Sequence, residues 1–336
     1  MELKFHPYNL ELKNTFTISH GSRDVQPTLI VSLSDRGFTG YGEATATSYY
    51  GVSIEKMQAD ILNIEDLIAE NILLEPEELW ELTYPHLKEN PFALCALEMH
   101  DLHGKRNQQP LYQLWGLDLE NIPLTNYTIG IDSVEKMVQK IKEFPWPLYK
   151  IKLGTEDDVA IVSELRKHTN SVFRVDANAA WTVDQAIENA KALKGLNVEF
   201  LEQPLKANDW EGMEKRYKES VLPLIADESC IEESDVEKCA GYFHGINIKL
   251  TKCGGLTPGK RMILKGKSLG LKVMVGCMTE STVGISAIAQ LLPLLDYVDM
   301  DGGLLIKNDI ADGVKVYDEK VHFPERNGTG VELYEK

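Results

Sequence analysis

Val172-Phe-Arg-Val-Asp176, Val198-Glu-Phe-Leu-Glu202 and Leu222-Pro-Leu-Ile-Ala-Asp227 are three short apolar runs that each finish on a carboxylate. The acids are 26 and 25 residues apart. That interval suits a strand, a loop, a helix and a second loop, the unit from which parallel barrels are built. Five further runs keep the rhythm: Leu124–Ile129, Leu148–Leu153, Gly245–Leu250, Leu271–Val275 and Tyr297–Met300. At or just past their ends stand Thr128, Lys150 and Lys152, Lys249, Cys277, and Asp299 and Asp301. Eight such units close an α/β barrel, which the spacing places at residues 121–305. In such barrels chemistry gathers where the strand ends converge. A charge at nearly every strand end has no purpose in a barrel built for stability alone.

Upstream the pattern differs. Leu29-Ile-Val-Ser-Leu33, a turn at Asp35-Arg-Gly37 and Gly40-Tyr-Gly-Glu-Ala44 read as antiparallel strands. Helical periodicity follows from about Ile54 to Trp115, with interruptions expected at Pro76, Pro85 and Pro91. Residues 1–120 therefore read as a small α+β domain, and 306–336 as a C-terminal segment packing back on it.

The chain of 336 residues carries 52 Asp+Glu against 35 Lys+Arg, a formal charge of −17. Such a balance excludes binding to nucleic acid or an anionic membrane through general electrostatics. Residues 55–81 hold nine of the acids, opposite an apolar stripe of Met57, Ile61, Ile64, Ile68 and Ile72, and read as a solvated helix face. Five cysteines at wide spacing, with no C-x-x-C, argue against disulfides and structural zinc. No signal peptide is expected at the start, and the apolar segment 285–298 is broken by Gln290, Pro293 and Asp296. The expectation is a cytoplasmic protein; a homo-oligomer stays open.

Asp176, Glu202 and Asp227 on consecutive strands would repel one another severely in a partly dry barrel mouth unless a cation joins them. Hard oxygen ligands with room for water and substrate suit Mg²⁺. Lys150 and Lys152 share one side of their strand. Their mutual repulsion is expected to lower at least one pKa and so make a base. Lys249 lies across the barrel from them. A base on each face of one carbon is what a racemase or epimerase requires.

Lys150-Ile-Lys152, Asp176-Ala-Asn178-Ala-Ala-Trp181, Glu202-Gln-Pro204, Ala226-Asp227-Glu228-Ser229, Asn247-Ile-Lys249-Leu-Thr-Lys-Cys-Gly-Gly255 and Gly276-Cys-Met-Thr-Glu-Ser281 resemble the enolase superfamily, muconate-lactonizing subgroup. Gly40-Tyr-Gly-Glu-Ala44 and Asp101-Leu-His-Gly-Lys105 extend the resemblance to the front of the chain. It implies a capping domain on a modified (β/α)7β barrel, with specificity loops near 15–25 and 47–56. It also implies Mg²⁺ on Asp176, Glu202 and Asp227, an enediolate formed next to a carboxylate, Lys152 and Lys249 as bases, and Lys150 on the substrate carboxylate.

Asp299-Met-Asp301 on the eighth strand resembles the D-x-D by which dipeptide epimerases hold the substrate amine. Thr128 matches a substrate-contacting position in them. Epimerases selective for Ala-Glu place an arginine in the first capping loop, where an ungapped reading puts Gly21, with Arg23 two residues on. That lean, with the aromatic and apolar loop Tyr49–Ile54, favours a small or apolar second residue over Glu. The other reactions of the subgroup are the alternative: o-succinylbenzoate synthesis, N-acylamino acid racemization or muconate lactonization. A non-catalytic carboxylate-binding relative is a remote one.

Other signals have plainer readings. His100-x-x-His103 reads as part of a helix entering the barrel, not a metal site. Gly37-x-x-Gly40-x-Gly42 lacks the order and the helix of a dinucleotide fingerprint. Lys252-Cys-Gly-Gly255 is too short for a phosphate loop, and Cys277 has no histidine at a recognisable spacing.

Overall fold

The computed structural model describes residues 1–18 and 21–335. The alternating N-terminal residues form an antiparallel sheet of β1 (Glu2–Ile18), β2 (Gly21–Asp35) and β3 (Phe38–Thr45). One face packs Leu29, Val31 and Leu33 against helices carrying Met57, Ile61, Ile68 and Leu79. The acids of 55–81 surround that apolar stripe, and all five of its residues are buried. Pro76 and Pro91 stand at the first position of their helices, where a missing N–H costs nothing. Pro85, expected to interrupt, lies inside the helix Pro76–Leu87. It falls in the last turn, and Lys88 N–H still reaches Tyr84 O at 2.8 Å.

The eight apolar runs become β4 (Tyr127–Ile129), β5 (Leu148–Lys152), β6 (Val172–Asp176), β7 (Val198–Glu202), β8 (Leu224–Ala226), β9 (Gly245–Ile248), β10 (Lys272–Gly276) and β11 (Tyr297–Asp299). They pair in parallel and in chain order, and a parallel bridge between Thr125 and Val298 joins the last strand to the first. Seven strands are each followed by a helix of seven to thirteen residues. The eighth is followed only by the one-turn helix Gly302–Leu305. This is the (β/α)7β arrangement. Ile306 then bridges to Leu12, Thr329 donates to Asp101, and Lys105 Nζ donates to Val331 O at 2.8 Å, tying the chain's end to the first sheet and its helices. Among the described residues no helix is long and apolar enough to cross a membrane.

Candidate active site

The carboxylate ends of β6, β7 and β8 meet. Asp176, Glu202 and Asp227 are buried, and each offers an oxygen within 4.8 Å of the others. Gln203, which follows Glu202 at a positive φ of 35°, fixes two of the strand ends together. Its Oε1 accepts from Asp227 N at 2.9 Å and Ser229 N at 3.1 Å, and its Nε2 donates to Leu205 O at 2.8 Å. Asp158 ties the loops after β5 and β6, accepting from Thr155 N at 2.8 Å and Trp181 Nε1 at 2.6 Å.

Lysines surround the triplet. Lys150 Nζ lies 2.8 Å from Glu202, 2.9 Å from Asp299 and 3.2 Å from Asp176. Lys152 Nζ is 2.6 Å from Asp176. Lys249, just past β9 and across the barrel, donates to Cys277 O at 3.1 Å and lies 3.7 Å from Asp227. Gly276 leaves it space, since a Cβ there would come within 3.0 Å of Lys249 Nζ and 2.7 Å of Asn247 Oδ1. Lys152, Lys249, Asp227, Asp299, Asp301 and Thr128 line one cavity of about 960 Å³, roofed by Phe16, Ile18, residues 21–23 and 25–27, and residues 45–55. Ser19 and His20 of the first capping loop lie outside the described residues.

The pKa of Lys150 is not lowered. Burial works in that direction for Lys150, but Asp299, Glu202 and Asp176 outweigh it and hold the proton on. Lys249 is raised in the same way, chiefly by Asp227. Counting only the like charges of Lys150 and Lys152 overlooked the carboxylates pressed against them. Those carboxylates are strained in turn. Burial and the neighbouring Asp176 push Glu202 up to about 7. Burial would raise Asp227 too, yet Lys249 and Lys252 hold it well below the usual range. A divalent cation among the three would offset the repulsion that drives Glu202 toward protonation and would weaken the hold on the lysines. The donor set fits a hard cation of the Mg²⁺ kind.

On the eighth strand, β11 ends at Asp299, so Asp301 is not a strand residue. The chain turns into Gly302-Gly303, and Asp301 stands at the start of the short helix. Both acids still face the cavity. Asp299 accepts from Asn126 Nδ2 at 2.8 Å as well as pairing with Lys150. Asp301 accepts from Thr128 N at 2.5 Å, and burial beside Asp299 pushes it up to about 7.

Sequence reasoning gave no role to Asn126, Asn247 or Lys252. Asn247 Nδ2 donates to Glu202 at 2.7 Å, and Lys252 Nζ binds the Asp227 carboxylate at 2.5 Å. Lys252 sits three residues after Lys249, one helical turn on, a signal that the reading of Lys252–Gly255 as a failed phosphate loop passed over. His103 lies near Glu75, whereas His100 is buried between Glu98 at 2.5 Å and Glu77 at 3.7 Å.

That clamp predicts a pH dependence. Burial disfavours the imidazolium, but Glu98 and Glu77 prevail and raise His100 from 6.5 to about 9. A raised histidine stabilises the fold fully below its unfolded value and loses that contribution as pH rises through about 9. The difference corresponds to about 3 kcal/mol. Melting temperature should therefore fall between pH 6.5 and 9.5 in the wild type, and His100→Gln should flatten the fall; equal slopes would dismiss the clamp.

With this geometry in view, comparison with known proteins is decisive. Residues 2–116 match the mandelate racemase/muconate lactonizing enzyme N-terminal domain, and residues 132–336 match the enolase C-terminal domain-like family. The chain belongs to the enolase superfamily. An L-Ala-D/L-amino acid epimerase from Flavobacterium johnsoniae is 57% identical over 335 residues, covering 99% of this chain and 100% of that one. One of the same name from Maribacter is 58% identical over 336 residues, covering 99% of each. The structure of a dipeptide epimerase from Enterococcus faecalis, complexed with Mg and L-Leu-L-Tyr, superposes with a TM-score of 0.89 at 30% identity, covering 98% of both chains. This superfamily member is thus an enzyme of the isomerase class, a racemase or epimerase acting on amino-acid derivatives.

Proposed function

We propose that this enzyme is a Mg²⁺-dependent dipeptide epimerase that inverts the α-carbon of the substrate's C-terminal residue. The observation that carries the reading is the placing of Lys152 and Lys249 in one cavity, at the ends of strands that lie four apart in the eight-stranded barrel, with Asp227 of the buried carboxylate triplet lining it. Asp176, Glu202 and Asp227 would hold the ion, which when bound offsets the negative charge that builds on the substrate carboxylate as the α-proton leaves. One lysine removes that proton, and the other returns a proton to the opposite face through an enediolate. Lys150, ringed by acids and always charged, supports the substrate carboxylate. Asp299 and Asp301 receive the substrate's ammonium near Thr128. An incoming cation would keep Asp301 ionised against its raised pKa.

For the second residue, Phe16, Ile18, Val25, Tyr50 and Ile54 give the roof of the cavity an apolar lining. Arg23 is hydrogen-bonded to Gln26. This supports a small or apolar side chain over an acidic one. The names of the 57% and 58% identical relatives agree with dipeptides that begin with L-Ala.

The amine is the test. Dipeptides with a free N-terminus should be epimerised, and their N-acetyl twins should react about 10²-fold more slowly, the worth of a charged hydrogen-bonded contact. Asp301→Asn should lose activity on free dipeptides and leave the N-acetyl forms at their low rate. Equal turnover of both forms by the wild type would instead favour an N-acylamino acid racemase.

A further inference from the structure

We infer that Glu98, a capping-domain residue, is a positioning residue for Lys249 alone. This rests on the two-base reading above. Lys249 is followed by the one-turn helix Leu250–Cys253, whose Lys252 and Cys253 amides donate to Lys249 O at 2.9 and 3.1 Å. Two glycines at positive φ, Gly254 at 97° and Gly255 at 109°, then turn the chain into the helix Leu256–Ser268. No side chain at that helix's own N-cap accepts from its free amides. Glu98 does so from the other domain: its Oε2 accepts from Leu256 N at 2.8 Å. The carboxylate takes the place of a side chain, for a Cβ on Gly255 would lie 2.8 Å from Glu98 Oε2.

Glu98 is itself fixed. Its Oε1 accepts from Met99 N at 2.9 Å and His100 N at 3.1 Å, and lies 2.5 Å from His100 Nδ1. Trp80 supplies a second grip, its Nε1 donating to Gly254 O at 2.9 Å. The one-turn helix is therefore held at the barrel by Lys252 on Asp227 and at its far end by Glu98 and Trp80. Lys152 belongs to β5, paired between β4 and β6, and takes no part in this arrangement. Loosening the grip lets the segment bearing Lys249 shift while Lys152 stays in place.

The test uses Glu98→Ala, with Glu98→Gln as a variant that keeps the volume and one acceptor. Initial α-proton exchange into D₂O is measured from each of the two substrate configurations. Lys152→Ala and Lys249→Ala identify which configuration faces which base. Glu98→Ala should slow exchange on the Lys249 face by roughly 10–10²-fold more than on the Lys152 face, the cost of a displaced catalytic group. Glu98→Gln should show the same asymmetry, smaller in size. Equal slowing of both faces, or none, overturns the inference, since a merely structural residue would not discriminate between them. Amide exchange read by mass spectrometry supplies a measure independent of activity. In Glu98→Ala, residues 250–256 should lose protection while residues 148–153 keep theirs; a uniform loss, or none, also overturns it. Absence of exchange from either configuration in the wild type would count against the two-base reading, and the amide measurement would still decide the role of Glu98.

Discussion

Lys152→Ala and Lys249→Ala are each expected to lower epimerisation by roughly 10²–10⁴-fold while sparing opposite halves of the reaction. Inversion needs proton removal on one face and delivery on the other, so losing either lysine stops it. Exchange with solvent needs only the lysine that the α-proton faces. Each variant should therefore still exchange one substrate configuration into D₂O and fail with the other, and the two variants should be complementary. The geometry supports this division. Lys152 is fastened to Asp176 at 2.6 Å, whereas Lys249 is held by Cys277 O at 3.1 Å. Equal loss of both exchange reactions in both variants would show that the lysines do not act as separate bases.

The second large effect concerns the carboxylates. Glu202→Gln should weaken Mg²⁺ binding by at least about 10²-fold, since even residues that only orient a ligand change metal affinity by 10–100-fold. Activity should collapse at Mg²⁺ concentrations that saturate the wild type, as it should with a chelator. Without metal the stability effect has the opposite sign. Glu202 is raised to about 7 in the folded protein, so its ionised form is disfavoured there and stability falls as pH climbs from the ordinary carboxylate range through 7. The amide removes that penalty. Metal-free Glu202→Gln should melt higher than the metal-free wild type above pH 7, while gaining little from added Mg²⁺. A variant that melts lower and still gains heat stability from Mg²⁺ as the wild type does would place the ion elsewhere.

Much of this site was legible because barrel strands repeat. A run such as Phe-Arg-Val-Asp176 states its own end, and constant spacing puts successive ends on one rim. Lys152, Asp176, Glu202, Asp227 and Lys249 could be placed together from that rhythm. What escaped was whatever depends on partners across the barrel or between domains. The raised pKa of Lys150 comes from Asp299, Glu202 and Asp176, which are 149, 52 and 26 residues away in sequence but adjacent in space. Asp301 left the strand because β11 ends at Asp299 and a one-turn helix starts at Gly302, where a Cβ would lie 2.9 Å from Glu280 N, a packing constraint the i, i+2 spacing does not reveal. Glu98 and His100 looked like ordinary helix residues because the amide they serve lies 158 positions away from Glu98, on another domain.

Two-base epimerisation requires that one α-carbon is deprotonated and reprotonated between two lysines. Proton NMR of the wild type with an L-Ala-L-X dipeptide and Mg²⁺ in D₂O tests it most directly. The C-terminal α-proton signal should disappear as the L,D diastereomer grows in, with deuterium at that carbon in the product and none at the N-terminal α-carbon. Retention of the C-terminal α-proton across a panel of dipeptides, or deuterium at the N-terminal position instead, would contradict it.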